Sequence, residues 1–248
     1  MKKLSLIVAF VVTAGVAAMA QTPVYSVNTV GYYNVNMPTN GQFVLVGLNF
    51  KDVGTRGYMY LSEVVGTNQL IRANQSANAD NVYLYRGNAW QDFYQRANGV
   101  FQQVGGVTTN PALYSGECLM IMGSATSLVS RTITICGEVP MNSTISESFA
   151  GGAFTLFCNP YSADLNLNGG TIDWTANGAS SSKQSDLADN CYFWGGQTWV
   201  GYYLRSTDHL WHQIGGTDTN GAVIAVGQGA FYLARGTFTN TYVRPYGL

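Results

Sequence analysis

A twelve-residue string occurs twice in this chain and limits its fold more than any other feature. Ala79–Trp90 (ADNVYLYRGNAW) returns as Ala188–Trp199 (ADNCYFWGGQTW), with six of twelve positions identical at an offset of 109. The correspondence runs on: Val104-Gly105-Gly106 and Thr109-Asn110 answer Ile214-Gly215-Gly216 and Thr219-Asn220 at an offset of 110. Gly116 then answers Gly227 at 111. Offsets that grow by single residues are what loop insertions between equivalent strands leave behind, so the chain reads as a duplicated domain.

The N-terminus reads as a targeting signal. Lys2-Lys3 precede an apolar run, Leu4 to Val16, and Ala18-Met19-Ala20 supplies a small-x-small cleavage site, so residues 1–20 are expected to be removed before Gln21. The run is too short for a comfortable membrane span. The protein is therefore expected to be exported, to the periplasm, outer surface or medium, with no membrane span after cleavage. What remains is read as two tandem homologous β domains, 21–139 and 140–248, each large enough for its own core and expected to fold as its own unit. Twelve basic and 13 acidic residues give a formal charge of −1, and the loss of Lys2 and Lys3 makes the remainder more acidic. With no basic cluster, nucleic acid and anionic membrane surfaces are poor partners. Only 10% of residues are charged, beside 16 Tyr, 11 Phe and 29 Gly, a composition suited to strands joined by tight turns.

Gln42 to Leu48 is a nearly continuous apolar run, the mark of a strand buried on both faces. Asn81 to Tyr85 and Ala89 to Gln95 are strands flanking an Arg86-Gly87-Asn88 hairpin turn. Tyr58 to Val65 is the one short helix expected, without a strong cap because Ser62 and Glu63 lie in its middle. About seven short strands per copy predict an all-β fold of two β-sandwiches or small barrels. Phe154-Thr155-Leu156-Phe157-Cys158-Asn159-Pro160-Tyr161 followed by Ile172-Asp173-Trp174 resembles the NLVGNPY…IDW segment of secreted bacterial β-domain repeat proteins. The Ala-Asp-Asn-x-Tyr strings, Gly227–Phe231 and Gly137-Glu138-Val139 resemble the rest of that pattern. The resemblance implies an exported β-rich chain and supplies no catalytic residues.

Four cysteines in an exported chain invite disulfides. Cys118 and Cys136 belong to the first copy, and Cys158 and Cys191 to the second, where the first has Gly47 and Val82. Private pairs within each copy predict Cys118–Cys136 and Cys158–Cys191; the alternative is four buried free thiols.

The chemistry-bearing residues are few. His209 and His212, the only histidines, stand three apart, on opposite faces if on a strand, and read as surface residues rather than zinc ligands. Asp80-Asn81 and Asp189-Asn190 read as turn residues rather than calcium ligands. No Gly-x-Ser-x-Gly elbow occurs and no paired carboxylates stand out, so the chain reads as non-enzymatic, without cofactor or metal. The aromatics are the remaining candidates. Trp90 and Trp199, retained in both copies, read as core. Trp194, Tyr203 and Trp211, which vary between copies, read as the surface that contacts a ligand or partner. The expected function is a structural or adhesive envelope or extracellular module that contacts a protein or glycan surface or self-assembles. The alternative is a carbohydrate-binding module using exposed aromatics, and a hydrolase comes third.

Overall fold

The computed structural model describes residues 29–66 and 68–247; the expected signal peptide lies outside them. Among the described residues the fold is all-β, with one short α-helix and a 3-10 turn at Ser76–Asn78, and its strands sort by copy. The first copy contributes β1 (Val30–Met37), β2 (Phe43–Gly47), β3 (Met59–Tyr60), β4 (Asn81–Arg86), β5 (Ala89–Gln95), β6 (Phe101–Gln103), β7 (Ala112–Leu113), β8 (Cys118–Met122) and β9 (Arg131–Glu138). The second contributes β10 (Thr144–Phe149), β11 (Phe154–Phe157), β12 (Leu165–Asn166), β13 (Asn190–Trp194), β14 (Trp199–Leu204), β15 (Trp211–Gln213), β16 (Val223–Ile224), β17 (Ala230–Leu233) and β18 (Phe238–Val243). Each copy has a five-stranded antiparallel sheet, β2-β8-β4-β5-β6 in one and β11-β17-β13-β14-β15 in the other. Each also has a ribbon, β1-β9 or β10-β18, and a smaller pair, β3-β7 or β12-β16. The registers coincide as well: Tyr83 lies opposite Met120 and Asp92, as Tyr192 lies opposite Phe231 and Gly201.

Within each copy the five-stranded sheet and the ribbon enclose a core between them, the layered solution a one-sided apolar sheet requires. In the first copy Val46, Val82, Leu84, Phe93, Leu119 and Ile121 of the sheet meet Val35, Ile133 and Ile135 of the ribbon. Helix α1 (Leu61–Val64) closes one end with Leu61 and Val64. A cap does hold α1, contrary to the expectation from sequence: the Glu63 carboxylate accepts the Tyr60 N–H at 2.7 Å. The second copy replaces the helix with a turn-rich segment that delivers Trp174 to its core, packed with Tyr202, Leu204, Trp211 and Tyr232.

A third apolar cluster lies between the copies: Leu45, Cys118 and Met120 from one sheet against Leu156 and Cys158 from the other. β2 is thus buried on both faces, with Val46 inward and Leu45 toward the other copy. Polar contacts follow the same seam. The fully buried Asn49 donates to the carbonyls of Asn159 and Tyr161 and accepts the Gly227 N–H at 2.6 Å. The layers therefore run ribbon, sheet, sheet, ribbon, with the two sheets back to back.

Candidate functional site

Alternation along the hairpin strands decides what faces the second copy. In β4, Val82 and Leu84 enter the first core, so Tyr83 and Tyr85 point to the opposite face. In β13, Cys191 and Phe193 turn to the second core and leave Tyr192 and Trp194 on that same outer face. The turn Gly87-Asn88, with φ of 60° and 61°, is the primed type that matches strand twist. It brings Trp90 back opposite Tyr85, as Trp199 comes back opposite Trp194.

These side chains line a groove of about 860 Å³ between the two sheets. Its ten lining residues are five structurally equivalent pairs: Phe43 and Phe154, Tyr83 and Tyr192, Tyr85 and Trp194, Trp90 and Trp199, Met120 and Phe231. Phe231 is the hub, with ring centres 5.3 Å from Tyr85, 5.7 Å from Trp90, 5.2 Å from Trp199 and 5.8 Å from Phe154. All four contacts are edge-to-face, the arrangement that ring quadrupoles favour. At the mouth Trp90 is 44%, Trp199 38% and Phe154 41% exposed. An apolar surface of this kind left open to water marks a contact site more often than chance.

Polar groups here are sparse and partly committed. The Trp194 indole donates to the Phe43 carbonyl at 3.0 Å, tying the copies together at the groove floor. The Tyr83 hydroxyl reaches the Met122 sulfur at 3.8 Å, and burial pushes its pKa up to about 12. Asp92 lies across the β4–β5 pair from Tyr83 and two residues from Trp90, on the same face. Burial pushes its carboxyl up to about 6, and the neighbouring Tyr83 hydroxyl pulls it part of the way back.

Of the three aromatics expected to form the contact surface, the structure brings Trp194 into the groove and leaves Tyr203 outside its lining, beside His212 with ring centres 6.2 Å apart. Trp211 corrects the expectation: it is wholly buried, at the position Phe101 fills in the first copy. Trp90 and Trp199 correct it in the other direction, being exposed rather than core. The signal missed was two-sided apolarity. Both faces of these strands are aromatic or aliphatic, so alternation alone did not say which face was core.

The disulfide pattern is also corrected: all four cysteines are free. Cys118 lies opposite Gly47 in the five-stranded sheet, whereas Cys136 lies opposite Tyr32 in the ribbon and points to solvent. Cys158 faces the seam between copies, while Cys191, across the same sheet, faces the second core. The expected partners point to different places.

The duplicated aspartates are structural anchors. Asp80 is buried, pairs with both Arg131 contacts at 2.8 Å, and accepts the N–H groups of Ile71 and Ser124. Asp189 accepts the Tyr232 hydroxyl at 2.9 Å and the Arg235 N–H at 2.6 Å. Each clasps the chain just past β8 or β17, the strand paired with the edge strand of its sheet. His209 is exposed, as expected of a surface residue, but His212 is buried, 3.0 Å from Asp208. Among the described residues no three His, Cys, Asp or Glu side chains are grouped to hold a metal ion. No helix among them is long and apolar enough to cross a membrane. Comparison with protein-family models, curated proteins and solved structures finds no match to this chain.

Proposed function

We propose that the protein is an exported, non-enzymatic module, structural or adhesive, that works by surface contact through the aromatic groove between its two copies. The observation that supports this is the convergence of five equivalent positions, nine aromatics and one methionine, on one open groove. A duplicated scaffold needs buried aromatics for stability, but nothing in the packing of either core needs Trp90 and Trp199 at the mouth. Their exposure costs free energy in the isolated molecule, and a partner that covers them recovers it. A partner that inserts apolar or ring-faced groups fits such a lining.

Carbohydrate binding is the second reading, favoured by the exposed indoles of Trp90 and Trp199, whose flat faces suit sugar rings. The scarcity of polar groups in the lining favours the first. One experiment separates them. The double variant Trp90→Ala/Trp199→Ala is compared with the unaltered protein for binding to the envelope fraction of the producing cell and to a glycan array. The proposal expects envelope binding that falls about tenfold or more in the variant, which stays folded with only a small loss of thermal stability. Array binding lost in the same variant would favour the sugar reading. Envelope binding indifferent to both substitutions would overturn the groove as the contact surface.

A further inference from the structure

The two halves of the groove match in their rings and differ in charge. Eight strands line it: β2, β4, β5, β8, β11, β13, β14 and β17. Asp92 is their one acid and Arg86 their one base. Arg86 points away, its guanidinium held by Glu117 at 2.7 Å and 2.9 Å. Asp92 takes part in no ion pair among the described residues, and its Oδ1 is buried without a hydrogen-bond partner. The second copy has Gly201 at this place, and a Cβ there would meet Ile214 Cδ1 at 2.9 Å and the Tyr192 ring at 3.1 Å. Asp92 is not itself part of the lining, but it sits on the groove face of the first sheet opposite the lining residue Tyr83, with no counterpart on the second.

A half-buried carboxylate whose charge no protein cation offsets costs free energy unless something brings a cation to it. The rings beside it attract the same species, since the face of an indole or phenol is the negative end of its quadrupole. Apolar rings line the way from Tyr83 and Trp90 through Tyr85 to Phe231 and Trp199. The Trp194 indole N–H already occupies the Phe43 carbonyl on the edge strand β2. We infer that the occupant of the groove is an organic ammonium ion on an apolar stem, its cation over the Tyr83 and Trp90 rings beside Asp92 and its stem against Tyr85 and Phe231. This rests on the groove being the contact surface.

Two probes test it: choline, and the uncharged isostere in which tert-butyl replaces the trimethylammonium. Binding is read from the fluorescence of Trp90 and Trp199 in the full-length folded protein and in Asp92→Asn. The unaltered protein is expected to bind choline about tenfold more tightly than the isostere, and Asp92→Asn to remove most of that preference while leaving isostere binding unchanged. If the isostere binds as tightly as choline, the ammonium inference is overturned while the groove stands as an apolar contact surface. If Asp92→Asn keeps the full preference at unchanged thermal stability, the assignment to Asp92 is overturned. If neither probe alters the fluorescence, the ammonium inference is overturned, and the groove reading stands or falls by the envelope-binding experiment.

Discussion

Trp211 packs edge-on against Trp174, 5.5 Å between ring centres, and against Tyr232 at 5.7 Å, with none of its surface exposed. Its indole N–H is buried without a partner. Trp211→Ala should therefore cost about 3–5 kcal/mol, as for a core aromatic. Trp211→Phe, which restores the first copy's residue and removes the orphan N–H, should cost far less. Trp90→Ala should cost only about 1 kcal/mol, since it loses edge-to-face contacts with Tyr83, Tyr85 and Phe231 at a half-open site. Urea unfolding of the three variants ranks them, and a Trp90→Ala cost equal to that of Trp211→Ala would contradict the assignment. Variation between copies is the reason sequence misplaced these residues. A residue that differs between repeats need not be free, because each core can be refilled in its own way, as Trp174 and Tyr232 do around Trp211. A residue retained in both repeats need not be core, because a surface built from both copies constrains both.

Gly47 and Cys118 are paired neighbours in the first sheet, and Gly229 and Cys158 hold the equivalent places in the second. The identities are swapped, and the swap is what lets the sheets meet. A Cβ on Gly47 would lie 2.5 Å from Cys158 Cβ and 2.2 Å from the Gln228 carbonyl oxygen; one on Gly229 would lie 2.5 Å from Cys118 Sγ. Each cysteine thus fills the space that the other copy's glycine leaves. Gly47→Ala should push against backbone that cannot yield cheaply and cost about 1–3 kcal/mol in thermal or urea unfolding. A neutral result would mean the sheets are not in contact as described. The strands, their pairing and even the double burial of β2 are legible in sequence, because period and turn chemistry are local. The Cys–Gly interlock is not, since its partners stand about 110 residues apart and nothing periodic links them. Reading the cysteines as private disulfides was the natural consequence of seeing each copy alone.

At the scale of the whole molecule the two copies also differ in their outer ribbons. Where the first ribbon pairs Val35 with Ile133, the second pairs Glu147 with Asn240. Burial pushes the Glu147 carboxyl up to about 8 from an ordinary 4.5, and the Tyr242 hydroxyl, 3.3 Å away, only partly offsets it. The folded state therefore keeps a proton that the unfolded chain gives up between about pH 4.5 and 8. Stability is highest below that window and falls as pH rises through it. Glu147→Gln should flatten this slope in unfolding measured at several pH values, and an unchanged slope would remove Glu147 as its source. The four layers place the ribbons outermost and both sheets' aromatic faces at the centre, where duplication has produced a groove rather than two separate surfaces. That groove is the central claim, and the most direct test is acrylamide quenching of variants that retain a single tryptophan. Trp90 and Trp199 should be quenched readily and Trp211 hardly at all; a Trp90 as protected as Trp211 would mean that the groove is closed and the contact surface lies elsewhere.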